Sequence, residues 1–252
     1  LMCRLQNKAV NSLPDFQGWY RCSNTTEDVL IARDGNETPI INSSSDFLAP
    51  SVIYAVDNIN GDFDDLTSGK LTGGWHGYNN ATSNATPTAR NVSKKVFCDG
   101  VQLSSGESAR GSEVVIEIVN RLQASNTEKS DGTGREVAEL TYRIVFRDGF
   151  KCAVSGTIKA LENIHIASFN GISAHINSGA MSDMPFYWVG SRTNKNPITV
   201  SSSPQRSGDK YCTGIEQVGS TDTFEIGFAP DYDLGTQYAN NSANSFTSSS
   251  NK

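Results

Sequence analysis

The sequence predicts an all-β protein made of antiparallel sheets, a β-sandwich of the larger kind with few and short helices. Three observations predict it. Residues 136–161 carry two stretches of apolar alternation on either side of an Asp-Gly pair. Residues 91–103 repeat that arrangement around a second Asp-Gly pair. Between them Ser112–Leu122 reads SEVVIEIVNRL, whose β-branched residues favour a strand even though its charge spacing would allow a helix. No strand-like run leads into a long amphipathic helix, so a doubly wound α/β fold is disfavoured.

Each element follows from its own residues. In 91–103 a two-residue Asp99-Gly100 turn sets Cys98 opposite Val101 and Val96 opposite Leu103. In Ser112–Leu122, Val114, Ile116 and Ile118 share one face, with Val115, Glu117 and Val119 on the other. In 136–161 a two-residue turn would put the apolar rows on opposite faces. A three-residue loop Arg147-Asp148-Gly149 instead pairs Phe146 with Phe150 and Ile144 with Cys152, which keeps one apolar face. Shorter strands are expected at Asn163–Phe169, Ile172–Asn177, Phe186–Val189, Ile198–Ser201 and Thr223–Phe228. Asn, Asp, Ser, Thr and Gly accumulate over residues 23–89, so residues 1–90 read as loop-rich chain anchored by Phe16, Trp19, Tyr20, Phe47 and Tyr54. Residues 1–239 are expected to form one domain. Residues 240–252, almost all Asn, Ser, Thr and Ala, bury too little to offset their ordering entropy and are expected to form a flexible C-terminal arm.

Composition narrows the partners. The 252 residues carry 21 Lys+Arg against 27 Asp+Glu, a net charge of -6, so the surface lacks the basic field on which nonspecific nucleic-acid binding depends. No segment approaches the roughly 18 apolar residues of a membrane helix and none reads as a cleavable signal peptide, so no membrane insertion is expected. The five cysteines, Cys3, Cys22, Cys98, Cys152 and Cys212, are widely spaced without a C-x-x-C pair, a pattern that fits neither a zinc site nor a disulfide scaffold. Cys98 and Cys152 fall at apolar positions of strand-like runs and read as core.

The most distinctive segment is Gly73-Gly74-Trp75-His76-Gly77-Tyr78-Asn79-Asn80. Glycines let the backbone turn sharply, so Trp75, His76, Tyr78 and Asn79 could be presented together from one loop. Aromatic faces stack on the C–H surfaces of sugars while His and Asn bind hydroxyls. The plainer reading is a tight turn whose rings anchor it to the core. His165 and His175 lie in strand-like runs and would share a polar face if those strands were neighbours, adding two ligand-binding candidates. A polysaccharide lyase needs a proton-transfer group and a cation for the substrate carboxylate. His76 or Tyr78 has the chemistry for the first role, and Arg90 or Arg143 for the second. Asp62 and Asp64 sit in an acidic turn beside Asp65, Asn58 and Asn60, and are calcium candidates, with a solvated turn as the alternative. No other metal or cofactor is expected. Nucleotide-binding, zinc-protease and serine-hydrolase motifs are absent from the sequence. Seven Asn-x-Ser/Thr triplets, Asn91 among them, follow from the abundance of Asn, Ser and Thr.

Thr72–Asn79, followed by Thr86-Pro-Thr-Ala-Arg90 and then Val96-Phe-Cys-Asp-Gly-Val101, resembles a pattern of bacteriophage tail-fibre and minor structural proteins, in which a glycine-rich His loop leads through P-T-A-R into a strand ending in a D-G turn. The likeness spans Leu71–Ile158 if the following hairpin is included, and that hairpin looks like part of the large β-sandwiches of polysaccharide lyases and sugar epimerases. The resemblance implies a virion-surface or extracellular component, commonly a homotrimer, that meets bacterial surface polysaccharide. It would either bind the glycan or degrade it as a lyase or hydrolase. A passive virion scaffold is the third reading.

Overall fold

The computed structural model describes residues 2–8, 11–20, 41–42, 47–57, 71–74, 86–129, 132–147, 151–169, 171–172, 175–176, 186–188, 193, 195–197, 206–207, 210–211, 214–218 and 223–227. Strands follow one another as β1 (Met2–Asn7), β2 (Pro14–Tyr20), β3 (Ile41–Asn42), β4 (Ser51–Ala55), β5 (Ala89–Cys98), β6 (Val101–Leu103), β7 (Glu113–Gln123), β8 (Glu136–Arg147), β9 (Lys151–Ala160) and β10 (Ile164–Phe169). After these come β11 (His175–Ile176), β12 (Phe186–Trp188), β13 (Lys195–Pro197), β14 (Arg206–Ser207), β15 (Lys210–Tyr211), β16 (Gly214–Val218) and β17 (Thr223–Gly227). Among the described residues the one helical element is the 3-10 turn Ser125–Thr127, and the pairings β1–β2, β3–β11, β4–β10, β12–β13, β12–β16, β14–β15, β16–β17, β5–β6, β5–β7, β7–β8 and β8–β9 are antiparallel. The protein is all-β. Its chain divides into two compact units, Leu1–Ile31 with Ser43–Ala174, and Ala32–Asn42 with His175–Lys252.

The first unit is organised by a five-stranded sheet in the order β6-β5-β7-β8-β9. The β5–β6 hairpin has the expected register, Cys98 opposite Val101 and Val96 opposite Leu103. Asp99 and Gly100 both take positive φ, 46° and 82°, as a tight two-residue turn that matches strand twist requires. The Asp99 carboxylate accepts hydrogen bonds from the backbone N–H groups of Glu113 and Ser112 and from the Ser112 hydroxyl. These donors stabilise its charged form and pull its pKa below the ordinary carboxylate value.

In the β8–β9 hairpin the structure corrects the expected register. Phe146 pairs with Cys152 rather than Phe150, Ile144 with Val154, and Arg147 with Lys151, so the connection is residues 148–150. The slip is two residues. An even slip leaves every side chain on its original face, so alternation alone could not distinguish the two pairings.

Ile116, Ile118 and Leu122 of β7 lie beside Ala138, Leu140, Tyr142 and Ile144 of β8 on one face, all buried. Residues of β2, of β10 and of the segment before β4 pack against the sheet. Phe16, Trp19 and Phe47 cluster with Phe146, Phe16 lying 5.2 Å from Trp19, 5.1 Å from Phe47 and 6.1 Å from Phe146. The buried Tyr142 hydroxyl donates to the Ala49 carbonyl, and Gly156 leaves room for the Phe169 ring, whose Cζ would lie 3.0 Å from an added Cβ. Each fully buried apolar side chain of this size contributes roughly 1.5–3 kcal/mol. The opposite face carries cross-strand ion pairs, Arg147–Glu113 at 2.8 Å, Arg121–Glu139 at 2.9 Å and Arg143–Glu117 at 3.7 Å. Surface and half-buried pairs of this kind add little stability each, and on this face they flank the buried Val115 and Val145.

Two local devices complete this unit. Val92 is bulged out of β5, 47% exposed, and Asn91 turns its amide toward the oxygens of Ser93, Val119 and Asn120 at 2.9–3.1 Å to close the gap. Its glycosylation triplet is therefore occupied by a structural role. Asn126, 3% exposed, accepts from the Ala55 N–H and donates to the Ala55 carbonyl, both at 2.8 Å, so the 3-10 turn extends the backbone pairing of β4.

Cys98 is buried as expected, 6% exposed, whereas Cys152 is only half-buried because β9 is the sheet's edge. Burial pushes the Cys3 thiol up to about 11, and burial with the neighbouring Cys3 pushes Cys152 up to about 12. Both start from an ordinary value of 9.0. The folded chain then holds protons that the unfolded chain releases, so the stability these thiols contribute is intact below pH 9 and declines toward pH 12. Denaturant midpoints should fall more steeply across that window in the wild type than in a Cys3→Ala/Cys152→Ala variant. Parallel profiles would contradict this.

In the second unit β13-β12-β16-β17 form a sheet, β14 pairs with β15 and β11 with β3. Trp188, 5% exposed, lies with its ring against Gly214 in the neighbouring strand, in the space a Cβ would take. The expected strand at 198–201 lies outside the described residues, and β13 precedes it. Of the expected strand Ile172–Asn177, His175–Ile176 form β11 and Ile172 bridges Leu48 in the first unit, while residues 173, 174 and 177 lie outside the described residues. The proposed arm, residues 240–252, lies outside the described residues.

Candidate functional site

The aromatic segment singled out by the sequence is rooted in the first unit. Its entry, Leu71–Gly74, and its exit, residues 86–89, are held to each other and to the sheets. Ser51 at the start of β4 exchanges two backbone hydrogen bonds with Thr72, at 2.7 and 2.8 Å. The Thr72 hydroxyl donates to the Thr88 carbonyl at 2.8 Å, and the Thr88 hydroxyl donates to the Leu71 carbonyl at 2.9 Å. The Gln123 N–H also donates to the Thr88 carbonyl, which fixes the exit to the end of β7. Two threonines sixteen residues apart thus clasp the ends of one excursion.

Glycine is required at the entry. Gly73 and Gly74 have φ of 74° and 60°, a conformation costly for other residues. A Cβ on Gly74 would stand 2.9 Å from both Cδ and N of Pro50 and 3.0 Å from the Leu48 carbonyl. The Gly74 carbonyl accepts from the buried Asn11 amide at 2.5 Å, adding the β1–β2 connection to the anchor.

Beside this root the surface forms a small notch lined by Thr72, Thr88, Gln123, Ser125, Glu128 and Gly134, with inner space for about one water-sized group. Gln123 Oε1 accepts from the Gly134 N–H at 2.9 Å. Glu128 is 8% exposed, and Ser125 Oγ is buried without a hydrogen-bond partner among the described residues. The sequence reading missed these residues. Their one signal is the polar run Ser125–Glu128 standing directly between two long strands.

Trp75, His76, Tyr78 and Asn79, and the calcium candidates Asp62 and Asp64, lie outside the described residues. His165 is exposed on β10, its ring stacked on the buried Tyr54 at 6.4 Å and 12°. His175 belongs to β11, opposite Asn42, in the second unit. Arg90 binds Glu136 through two hydrogen bonds, at 2.5 and 2.9 Å, which raise the guanidinium pKa above its ordinary value. Arg143 faces Glu117. Both guanidinium groups lie on the ion-paired face of the five-stranded sheet with carboxylates beside them, and Tyr142, a residue of the right type for a base, is 2% exposed in the core. Among the described residues no three His, Cys, Asp or Glu side chains group as metal ligands, and no helix is long and apolar enough to cross a membrane.

Comparison of the chain with protein-family models, with curated proteins and with solved structures gave no match.

Proposed function

We propose that this chain is a carbohydrate-recognising protein of a phage tail or related adhesin, acting at the virion surface or outside the cell, and that it binds bacterial surface polysaccharide through Trp75, His76, Tyr78 and Asn79. One observation carries the reading: the Thr72–Thr88 clasp fixes both ends of the segment bearing these residues to β4 and β7. A receptor gains affinity when the ordering cost of its contact loop is met during folding rather than on binding. The resemblance to tail-fibre proteins supplies the ligand class, and a sandwich of two antiparallel layers would supply the rigid support. A homotrimer would multiply weak single-site contacts into avid attachment.

The test incubates the protein with capsular and wall polysaccharides while following binding by calorimetry, unsaturated uronate by ultraviolet absorbance, and new reducing ends. Binding without product is the expected result. Product formation would replace this reading with a polysaccharide lyase or hydrolase, in which His76 or Tyr78 transfers the proton. Neither binding nor product would leave a passive scaffold.

A further inference from the structure

We infer that Cys3 and Cys152 are an oxidisable pair, and that in an oxidising environment they close into a disulfide that ties β1 to β9 and stabilises the first unit. The inference is independent of the glycan reading. Strand register carries it. Cys3 stands opposite Trp19 across the β1–β2 pair, and Cys152 stands opposite Phe146 across the β8–β9 pair. Residues directly opposite in an antiparallel pair share a face, so each thiol lies on the side of its sheet from which its aromatic partner projects. Those two rings meet, with centroids 5.6 Å apart. Both thiols therefore enter one seam, each beside one of the touching rings. Both belong to the first compact unit, and β1 and β9 each end the strand order of their sheet. A bond between them runs from edge to edge without crossing a paired strand.

Electrostatics agrees with the register. After burial, the second cause that pushes the Cys152 thiol up is Cys3 itself, an influence that acts between neighbouring groups. Both thiols are half-buried, which leaves a small oxidant a way in. Cys98 is the contrasting case. It is buried and lies in the same cross-strand row as Cys152, through Val114 and Phe146, but β7 and β8 stand between them. Three strand spacings amount to about 14 Å, twice the roughly 7 Å that a disulfide spans between Cα atoms.

The oxidant is a small-molecule disulfide such as oxidised glutathione. Cys3 loses its proton and its thiolate attacks one sulfur of the oxidant, whose S–S bond breaks and releases one small thiolate. Cys152, deprotonated in turn, attacks Cys3 Sγ in the mixed disulfide and expels the second small thiolate. The two protons pass to the leaving thiolates, so the protein loses two electrons and two protons and the oxidant gains them. With Cys3 at about 11 and Cys152 at about 12, thiolate is scarce at neutral pH and closure is slow, the behaviour of a structural bond rather than of a redox catalyst. The closed loop takes in most of the first unit, and the constraint on the unfolded chain grows with loop length.

The experiment incubates the reduced full chain with oxidised glutathione, traps the remaining thiols with iodoacetamide and maps linked peptides by mass spectrometry without reduction. It uses wild type, Cys152→Ser, and a Cys22→Ser/Cys98→Ala/Cys212→Ser variant that keeps the pair alone. Wild-type mapping decides the pairing even if the triple variant fails to fold. The expected result is a linked peptide joining Cys3 to Cys152, absent from Cys152→Ser. The bridged chain should melt roughly 5–15 °C above the reduced one, a gain that dithiothreitol abolishes. Four results would each overturn the proposal: both thiols still alkylated after oxidation, either one bonded to a different cysteine, a glutathione adduct that never closes, or a bridged chain that melts no higher than the reduced one.

Discussion

Replacing Phe16 with alanine is expected to destabilise the first unit by about 3–5 kcal/mol, the range for deleting a buried aromatic ring. Phe16 is 1% exposed and touches Trp19, Phe47 and Phe146, so its ring joins β2, the segment before β4 and β8. The cavity would open between two layers whose backbones are pinned elsewhere, by Asn126 at one end of β4 and by Thr72 at the other. Such a site relaxes poorly, which places the loss toward the upper part of the range. A domain of this size has only about 5–15 kcal/mol in hand, so equilibrium urea unfolding followed by tryptophan fluorescence should show a large drop in midpoint. A loss below about 1 kcal/mol would mean that the aromatic cluster is not the seam between the layers.

The second large effect is expected at Gly74. Gly74→Ala should cost roughly 2 kcal/mol more than Gly100→Ala, although both glycines have left-handed backbone, at 60° and 82°. The backbone penalty for an L-residue, roughly 1–2 kcal/mol, is common to both. What differs is space: nothing lies within 4 Å of a Cβ on Gly100, whereas on Gly74 it meets the Pro50 ring and backbone nitrogen and the Leu48 carbonyl. Those atoms precede β4 and cannot move without disturbing the Ser51–Thr72 pairing. Paired unfolding curves test this difference directly, because the shared penalty cancels. Equal losses would show that the root of the segment yields to accommodate a methyl group.

The sequence made some of this legible and hid the rest for identifiable reasons. The β5–β6 hairpin could be read to the residue because an Asp-Gly turn with both φ positive admits one register. The strand character of β7, and the division of its residues between two faces, followed from its β-branched run. The β8–β9 register was missed by an even slip that preserves faces, and only the connection itself could have distinguished 147–149 from 148–150. β4 reads SVIYA and is buried along its whole length, so it carries no alternation to mark it as a strand. β2, interrupted by Pro, Asp and Gly, hides for the same reason, with Asp15 buried beside Phe16.

The sequence marks the candidate segment by residue type alone, and the way its root is held was not legible there. Glycines beside aromatic residues identify a loop worth attention, but the clasp that holds it joins Thr72 to Thr88, two ordinary threonines whose relation appears only when Ser51 and Gln123 are brought up beside them. The notch depends likewise on Gln123 and Gly134 meeting across eleven residues. Such contacts leave no periodic trace in a chain.

The account stands most directly on the affinity of a Trp75→Ala/Tyr78→Ala variant for whichever surface polysaccharide the wild type binds best. Removing two stacking faces should weaken binding roughly a hundredfold or more, with the unfolding midpoint unchanged. A folded variant that binds that polysaccharide as tightly as the wild type would contradict it.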